Sequence, residues 1–231
     1  MLFLYLNHAL KKGVKNISVI CDSKLLSKKD IDLWNIRTKN KFDIYGLGAN
    51  KIYTFARQKI PFYFVNNHND VDCLNLIASL KINCLFNAGT PRKLSDKIIS
   101  NMEYGVVNVH PGILPFYRGC SAVEWAILNN DPIGNTVHYM DSGYDSGPIV
   151  IAEKYKFKRN STYEDIRIKT YRKNFLLASK VLLEIQKNKL TPDGFPKQDV
   201  TEGKNWPPIG KNDMKKVLSR ISKKLYIYQC L

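Results

Sequence analysis

Histidine is scarce in this chain, with four among 231 residues, and no two stand at the His-x-x-x-His spacing that sets two ligands on one helical face. A catalytic metal is therefore not expected. Cysteine offers no alternative: Cys21, Cys73, Cys84, Cys120 and Cys230 are odd in number, scattered and free of any Cys-x-x-Cys, so they predict reduced thiols, mostly in the core. No apolar run approaches the roughly eighteen residues of a membrane span. Residues 1–6 are too short for a secretory leader and lack its basic start. These absences predict a soluble, cytoplasmic protein with no membrane partner. No internal repeat is present.

Acidic residues are few: 20 Asp and Glu face 36 Lys and Arg, a formal net charge of +16. Such an excess draws polyanions, either a nucleic acid or smaller anions such as a nucleotide diphosphate. The cations are spread (Lys24, Lys28, Lys39, Lys154, Arg159, Lys215, Lys223) and do not form a stripe with interleaved aromatics, which weighs against a nucleic-acid partner. A Lys/Asn/Ile-rich compositional habit accounts for part of the bias. Hydrophobic content of 44% is ordinary, and the length suffices for one full core with an appendage.

Hydrophobic spacing predicts alternating elements. Leu2, Leu6, Ala9 and Leu10 recur at helical period, and Lys11-Lys12-Gly13 supplies cations for the dipole and a glycine for a left-handed cap, so residues 2–12 read as a helix. A strand over 16–21, a charged connection over 23–41, a helix over 49–59 and a strand over 62–65 follow. Asp70 caps a helix whose apolar face is Val71, Leu74, Ile77 and Ala78. Strands over 83–87 and 105–109 flank a helix over 94–102. Ser121-x-x-Glu124 reads as a capping box opening a helix, strands run over 136–140 and 149–157, and Ser161-x-x-Glu164 opens a long helix with Tyr163, Ile166, Thr170, Leu177, Val181 and Ile185 on one face. This order predicts an α/β fold, a mostly parallel sheet covered by helices. After residues 191–194 the tail turns Pro-rich and basic.

The chemistry concentrates in residues 108–119, Asn-Val-His-Pro-Gly-Ile-Leu-Pro-Phe-Tyr-Arg-Gly, with Asp145 in a Gly-Tyr-Asp-Ser-Gly loop further on. Side chains alternate along a strand, so Asn108 and His110 point the same way. Pro111-Gly112 ends the strand where the polar groups appear, and ligands of open α/β sheets bind beyond the carboxyl ends of strands. Each residue has a plainer reading alone: His110 as a satisfied core histidine, Asp145 as a turn former, Tyr117-Arg118 as a surface turn, Glu124 as a helix cap, His138 as packing. The three polar residues together favour a catalytic site.

The combination resembles the folate-dependent formyltransferase family, with matches at Asn108, His110, Pro111, Leu114, Pro115, Tyr117, Arg118, Gly119 and Asp145 and a likeness over roughly residues 10–185. The resemblance implies a Rossmann-like catalytic domain over 1–185 and a C-terminal extension over 186–231. It implies Asn108 as oxyanion donor, His110 as the group moving the amine proton, and Asp145 as its partner. N10-formyltetrahydrofolate is the implied donor, held by Gly89, Thr90, Pro91 and Arg92 with Asp141 and Tyr144, and no metal is required. The wording around Tyr117, Arg118 and Gly119 is most similar to the small sugar N-formyltransferases. These residues with Trp206 are then expected to hold a nucleotide-linked amino sugar, such as dTDP-4-amino-4,6-dideoxyglucose for surface polysaccharide. The tail, with Trp206, Tyr226 and Tyr228, is expected to support a homodimer or the nucleotide base. Relatives usually start with a strand and a Gly-containing turn that this sequence lacks, and the glycinamide ribonucleotide enzyme holds phosphate there. The methionyl-tRNA enzyme carries a C-terminal barrel that 46 residues beyond Ile185 are too few to build. Both are weaker alternatives, as is a catalytically inactive basic relative that binds nucleic acid or nucleotide.

Overall fold

The computed structural model describes residues 1–24, 27–43, 60–90 and 92–230; the helix expected over 49–59 and the folate contact expected of Pro91 lie outside them. Four strands form the central sheet in the order β3-β4-β6-β7. β3 (Leu85–Phe86) runs parallel to β4 (Val106–His110), and β6 (Ile133–Tyr139) and β7 (Ile149–Tyr155) continue it antiparallel. Val106, Val107 and Val109 are stiff, β-branched residues suited to a strand covered on both faces, and all three are buried. β1 (Val19–Asp22) and β2 (Phe62–Val65) make a second parallel pair. The expected α/β layering is thus present. The sheet turns antiparallel after β4: β6 runs opposite to β4, and β7 follows β6 through the short loop that carries Asp145, with no crossover helix between them.

Helix α1 (Leu2–Lys12) ends as its sequence dictates, with Gly13 at φ 94 and its N–H on the last turn. It packs against the long α6 (Tyr163–Asn188), where Tyr5 sets its ring edge-on to Phe86 and Phe175 at 4.9 and 4.6 Å. All six residues expected on the buried face of α6 are buried. Its cap lies one residue on from expectation: Thr162 and Asp165 form the reciprocal box, freeing Glu164 to pair with Lys39 at 3.0 Å. On the other side, Cys73 and Ile77 of α3 (Val71–Ser79) meet Ile98 of α4 (Asp96–Ser100) and Val106. Asp70 stands at the N-cap of α3 without a side-chain cap bond, and Val71, expected on the apolar face, is 60% exposed. The thiols are free, but only Cys73 is buried among them; Cys120 and Cys230 are exposed, against the core placement expected.

Residues 23–41 do not form a bare connection. Ser27 accepts the Asp30 N–H and opens α2 (Lys28–Thr38), which buries Trp34 and Thr38, turns Arg37 inward and leaves its other charges outside. The tail is likewise structured. β5 (Tyr117–Gly119) pairs in parallel with β8 (Lys204–Trp206), and α7 (Lys211–Ser222) buries Val217 and Ile221 against α5 (Ala122–Asn129). Trp206 stacks between Tyr117 and Trp125 at 5.8 and 4.7 Å, and the Tyr226 hydroxyl donates to Asp131 O at 2.7 Å. These rings, expected at a dimer contact or a nucleotide base, pack inside their own chain. No helix among the described residues is long and apolar enough to cross a membrane.

Ser121 does not cap α5: it sits at φ 53, and its Oγ accepts from Ile209 N at 3.2 Å. Glu124, freed from a capping role, is fully buried. Its Oε1 accepts from Arg167 Nη1 and the Tyr163 hydroxyl, with Arg37 Nη1 at 3.5 Å, which locks α2, α5 and α6 together. Burial alone would push the Glu124 carboxyl up, but Arg167 and Arg37 hold it below its ordinary value. A carboxyl depressed on folding contributes stability above its unfolded pKa, and that contribution is lost as pH falls through the folded one. Arg167→Met strands the buried carboxylate and is expected to cost about 3–5 kcal/mol, read as a lower urea midpoint at neutral pH with an unchanged slope. An unchanged midpoint would show that the cluster does not hold these helices.

Candidate active site

The carboxyl end of β4 delivers Asn108 and His110 to one point, as the strand period requires. Asn108 Oδ1 accepts from Asn87 Nδ2 at 3.2 Å, while Asn87 Oδ1 accepts the N–H groups of Gly89 and Thr90 at 3.0 and 2.9 Å. That chain fixes which way both amides face. Asn108 Nδ2 then points at His138 Nε2, 3.1 Å away, and at Asp145 Oδ1, 3.5 Å away.

Proton placement on the two histidines follows from their carbonyl partners, which can only accept. His110 Nε2 lies 2.6 Å from Tyr117 O and His138 Nδ1 lies 2.8 Å from Tyr139 O, so each of these nitrogens carries a hydrogen. The remaining nitrogens turn toward one carboxylate. His110 Nδ1 is 3.3 Å from Asp145 Oδ2, and His138 Nε2 is 3.5 Å from Asp145 Oδ1. Burial lowers the pKa of His110 and the adjacent Asp145 raises it, so protonation at Nδ1 is opposed by one and favoured by the other. Burial would raise the Asp145 carboxyl, but His110, His138 and the Gly119 N–H hold it far below the ordinary range.

Asp145 stands at φ 53, in the left-handed region, and its Oδ2 accepts from Gly119 N at 3.0 Å. Gly119 is itself required: at φ 84, a Cβ there would fall 2.2 Å from Asn205 Oδ1 and 2.6 Å from Trp206 O, so only glycine lets β8 approach. Gln198 Nε2 donates to Asp145 O and Gly147 O at 3.1 and 2.6 Å.

The structure therefore brings Asn108, His110, Asp145 and Gly119 together. Tyr117 stacks beneath them with its hydroxyl turned to Asp131 and Asn129, and Trp206 lies behind it in the stack with Trp125. Arg118 is half-buried: its Nη2 donates to Val200 O at 3.0 Å and lies 3.5 Å from Gly203 O, while Nε is buried without a partner. Arg92 Nε donates to Asp22 Oδ2 at 2.8 Å; burial opposes ionisation of Asp22, yet Arg92 and the N–H groups of Lys24 and His68 bring its pKa to about 2. Thr90 Oγ1 is 2.9 Å from His68 Nδ1. Asp141 Oδ1 accepts from Gly143 N and Ser146 Oγ, shaping the loop, and Tyr144 is 61% exposed beneath Lys93. No group of three or more His, Cys, Asp or Glu side chains among the described residues is placed to hold a metal.

Three further residues belong to the site. His138, read from the sequence as packing, is the cross-strand partner of Asn108 in the β4–β6 register, a face relation that period 2 signals once the pairing is known. Asn87 stands at the head of the stretch Asn87–Arg92 that carries the expected folate contacts, but its link to Asn108 needs β3 beside β4. Nothing in the sequence announces Gln198.

The formyl transferase family model matches residues 7–182. The chain belongs to that family. Among curated relatives, the bifunctional polymyxin resistance protein ArnA of Wigglesworthia glossinidia brevipalpis is 29% identical over 189 residues, 81% of this chain and 27% of its own. The methionyl-tRNA formyltransferase of Clostridium tetani is 26% identical over 126 residues, 54% of this chain and 41% of its own. The chain spans less than half the length of these two. The formyltransferase PseJ of Anoxybacillus kamchatkensis, solved with UDP-4,6-dideoxy-4-formamido-L-AltNAc and tetrahydrofolate, shares the fold at TM-score 0.55 and 18% identity over 79% of this chain and 96% of its own. A phosphoribosylglycinamide formyltransferase from Coxiella burnetii does so at 0.56 and 20% over 78% and 79%.

Because Asp145 raises the His110 pKa, Asp145→Asn is expected to move the His110 imidazole titration, followed by NMR, to lower pH than in the parent protein. A titration that stays in place or moves up would mean that His110 does not answer to this carboxylate.

Proposed function

We propose that this protein transfers a formyl group from N10-formyltetrahydrofolate to the amino group of a nucleotide-linked amino sugar, with Asn108, His110 and Asp145 as its catalytic residues. The observation that carries the reading is the meeting of an amide donor, a buried imidazole and a desolvated carboxylate at the end of β4, in a chain of the formyl transferase family. When bound, the folate supplies a formyl carbon open to attack by an amine. Asn108 Nδ2 has one N–H on His138 and a second in a long contact, so the second can reach an oxygen that gains negative charge. His110 takes the amine proton at Nδ1 as the new C–N bond forms, the Asp145 carboxylate 3.3 Å away stabilises the imidazolium, and that proton passes to the donor's N10 as its bond to the formyl carbon breaks.

The loop of Gly89 and Thr90 fits a flat ligand. Gly89 is at φ 103 with its Cβ direction open to all but the Met1 side chain, so the backbone there can be approached closely. Tyr144 offers an exposed ring and Asp141 keeps Oδ2 for a donor, while Arg92 acts through Asp22 on the loop and not on the folate. A sugar nucleotide agrees with the net charge of +16 and with the sugar formamide bound by PseJ. We assign the acceptor as a 4-amino-4,6-dideoxy sugar linked to dTDP.

Two measurements test this. His110→Asn, Asn108→Ala and Asp145→Asn are each expected to lower turnover at least about a hundredfold with folding intact; near-parental turnover in any of them removes that residue from the mechanism. Incubation with N10-formyltetrahydrofolate and dTDP- or UDP-amino sugars, glycinamide ribonucleotide or methionyl-tRNA is expected to add the mass of a formyl group to a dTDP-sugar. Salt-resistant binding and formylation of tRNA, with no sugar nucleotide modified, would overturn the acceptor and keep the chemistry.

A further inference from the structure

One side chain of the C-terminal extension reaches the backbone that carries the Asp145 carboxylate. Gln198 Nε2 lies 2.6 Å from Gly147 O and 3.1 Å from Asp145 O. Both oxygens only accept, so the amide is held with its nitrogen toward them, and its Oε1 is left buried with no partner. Among the described residues no other donor reaches these two carbonyls. The residue between the clamp and the carboxylate is Asp145, in a left-handed conformation that a non-glycine residue adopts only under restraint. Gln198 is itself held in place. Arg118 grips Val200 and Gly203 just beyond it, and β8 is hydrogen-bonded to β5 immediately afterwards.

We propose that Gln198 is a positioning residue: it holds the 145–147 backbone in the turn that aims the Asp145 carboxylate between His110 and His138, which makes the C-terminal extension part of the catalytic apparatus. The inference rests on the assignment of Asn108, His110 and Asp145 as the reacting groups. The charged and titratable groups facing Asp145 are His110 from β4 and His138 from β6; Asp141, in the same loop, is engaged with Gly143 N and Ser146 Oγ. A released carboxylate therefore acts on the two imidazoles first. The long contacts of Asp145, 3.3 and 3.5 Å, leave little slack before the pairing with His110 and His138 is lost.

The test uses the full chain with Gln198→Ala and with Gln198→Met, which keeps the length and bulk of the side chain but removes its donors. The imidazole titration of His110 is followed by NMR without substrates, and kcat and the KM for folate are measured beside it. Both variants are expected to shift the His110 titration to lower pH, because the carboxylate that favours its charged form has moved off, and to lower kcat by about tenfold while KM for the folate stays put. If Gln198→Ala does not fold, Gln198→Met carries the test. A variant that melts cooperatively and keeps the parental titration and kcat overturns the proposal, as does one that only melts earlier. The titration needs no turnover, so parent protein that formylates no amine would sink the proposed function and leave this inference to be decided by NMR.

Discussion

A carboxylate removed from water has to be surrounded by polar partners, and the Asp145 carboxylate has drawn them from three separate places. Asn108 and His110 come from β4, His138 from β6 and the Gly119 N–H from β5. None of these can reach it unless the central sheet has its register and β5 has its partner in the tail. The burial that makes the site reactive is thus the same condition that ties the sheet, the 145–147 turn and residues 198–206 into one arrangement.

Asp22, Glu124 and Asp145 are acidic side chains withdrawn from solvent, and their partners separate them by role. Glu124 faces Arg167 and Arg37, guanidinium groups that never give up a proton at physiological pH, and Asp22 faces the Arg92 guanidinium at 2.8 Å with the His68 imidazole at 3.4 Å; each cluster ties together elements distant in sequence. Asp145 faces two imidazoles. An imidazole can exchange a proton near neutrality, so Asp145, with an imidazole beside each of its oxygens and no guanidinium, sits in a cluster able to change charge during a reaction. The distinction is chemical and does not depend on depth of burial, since Glu124 is fully buried.

Much of this was legible in the sequence wherever the signal was local. The glycine cap of α1, the face of α6 and the strand carrying Asn108 and His110 are spacing effects, and they fall where spacing puts them. What stayed hidden involves residues whose partners are distant. Glu124 three residues after Ser121 imitates a capping box, and only the presence of Arg167 shows that it is a buried ion. In α2, charged residues outnumber the two that are buried, so its helical period is faint. Ser161-x-x-Glu164 and Thr162-x-x-Asp165 compete for the same helix start; Thr162 and Asp165 close the reciprocal bonds and Glu164 turns to Lys39. Arg118 looked like a free cation for a phosphate because nothing in its neighbourhood announces that residues 200–203 return to it.

The parallel pairing of β5 with β8 has a consequence for synthesis. It joins strands far apart in the sequence, as the Arg118 contact to Val200, 82 positions away, illustrates. Long-range parallel pairing is slow to form, because a large loop must close before any bond is gained. While the chain emerges from the ribosome, β4, β6 and the Asp145 turn are all available before β8 exists. The nascent protein therefore passes through a period in which α1 to α6 and the central sheet can assemble while Gly119 has no strand beside it and the Asp145 turn lacks the Gln198 amide. The surroundings of Asp145 are complete only once residues 198–206 have been made.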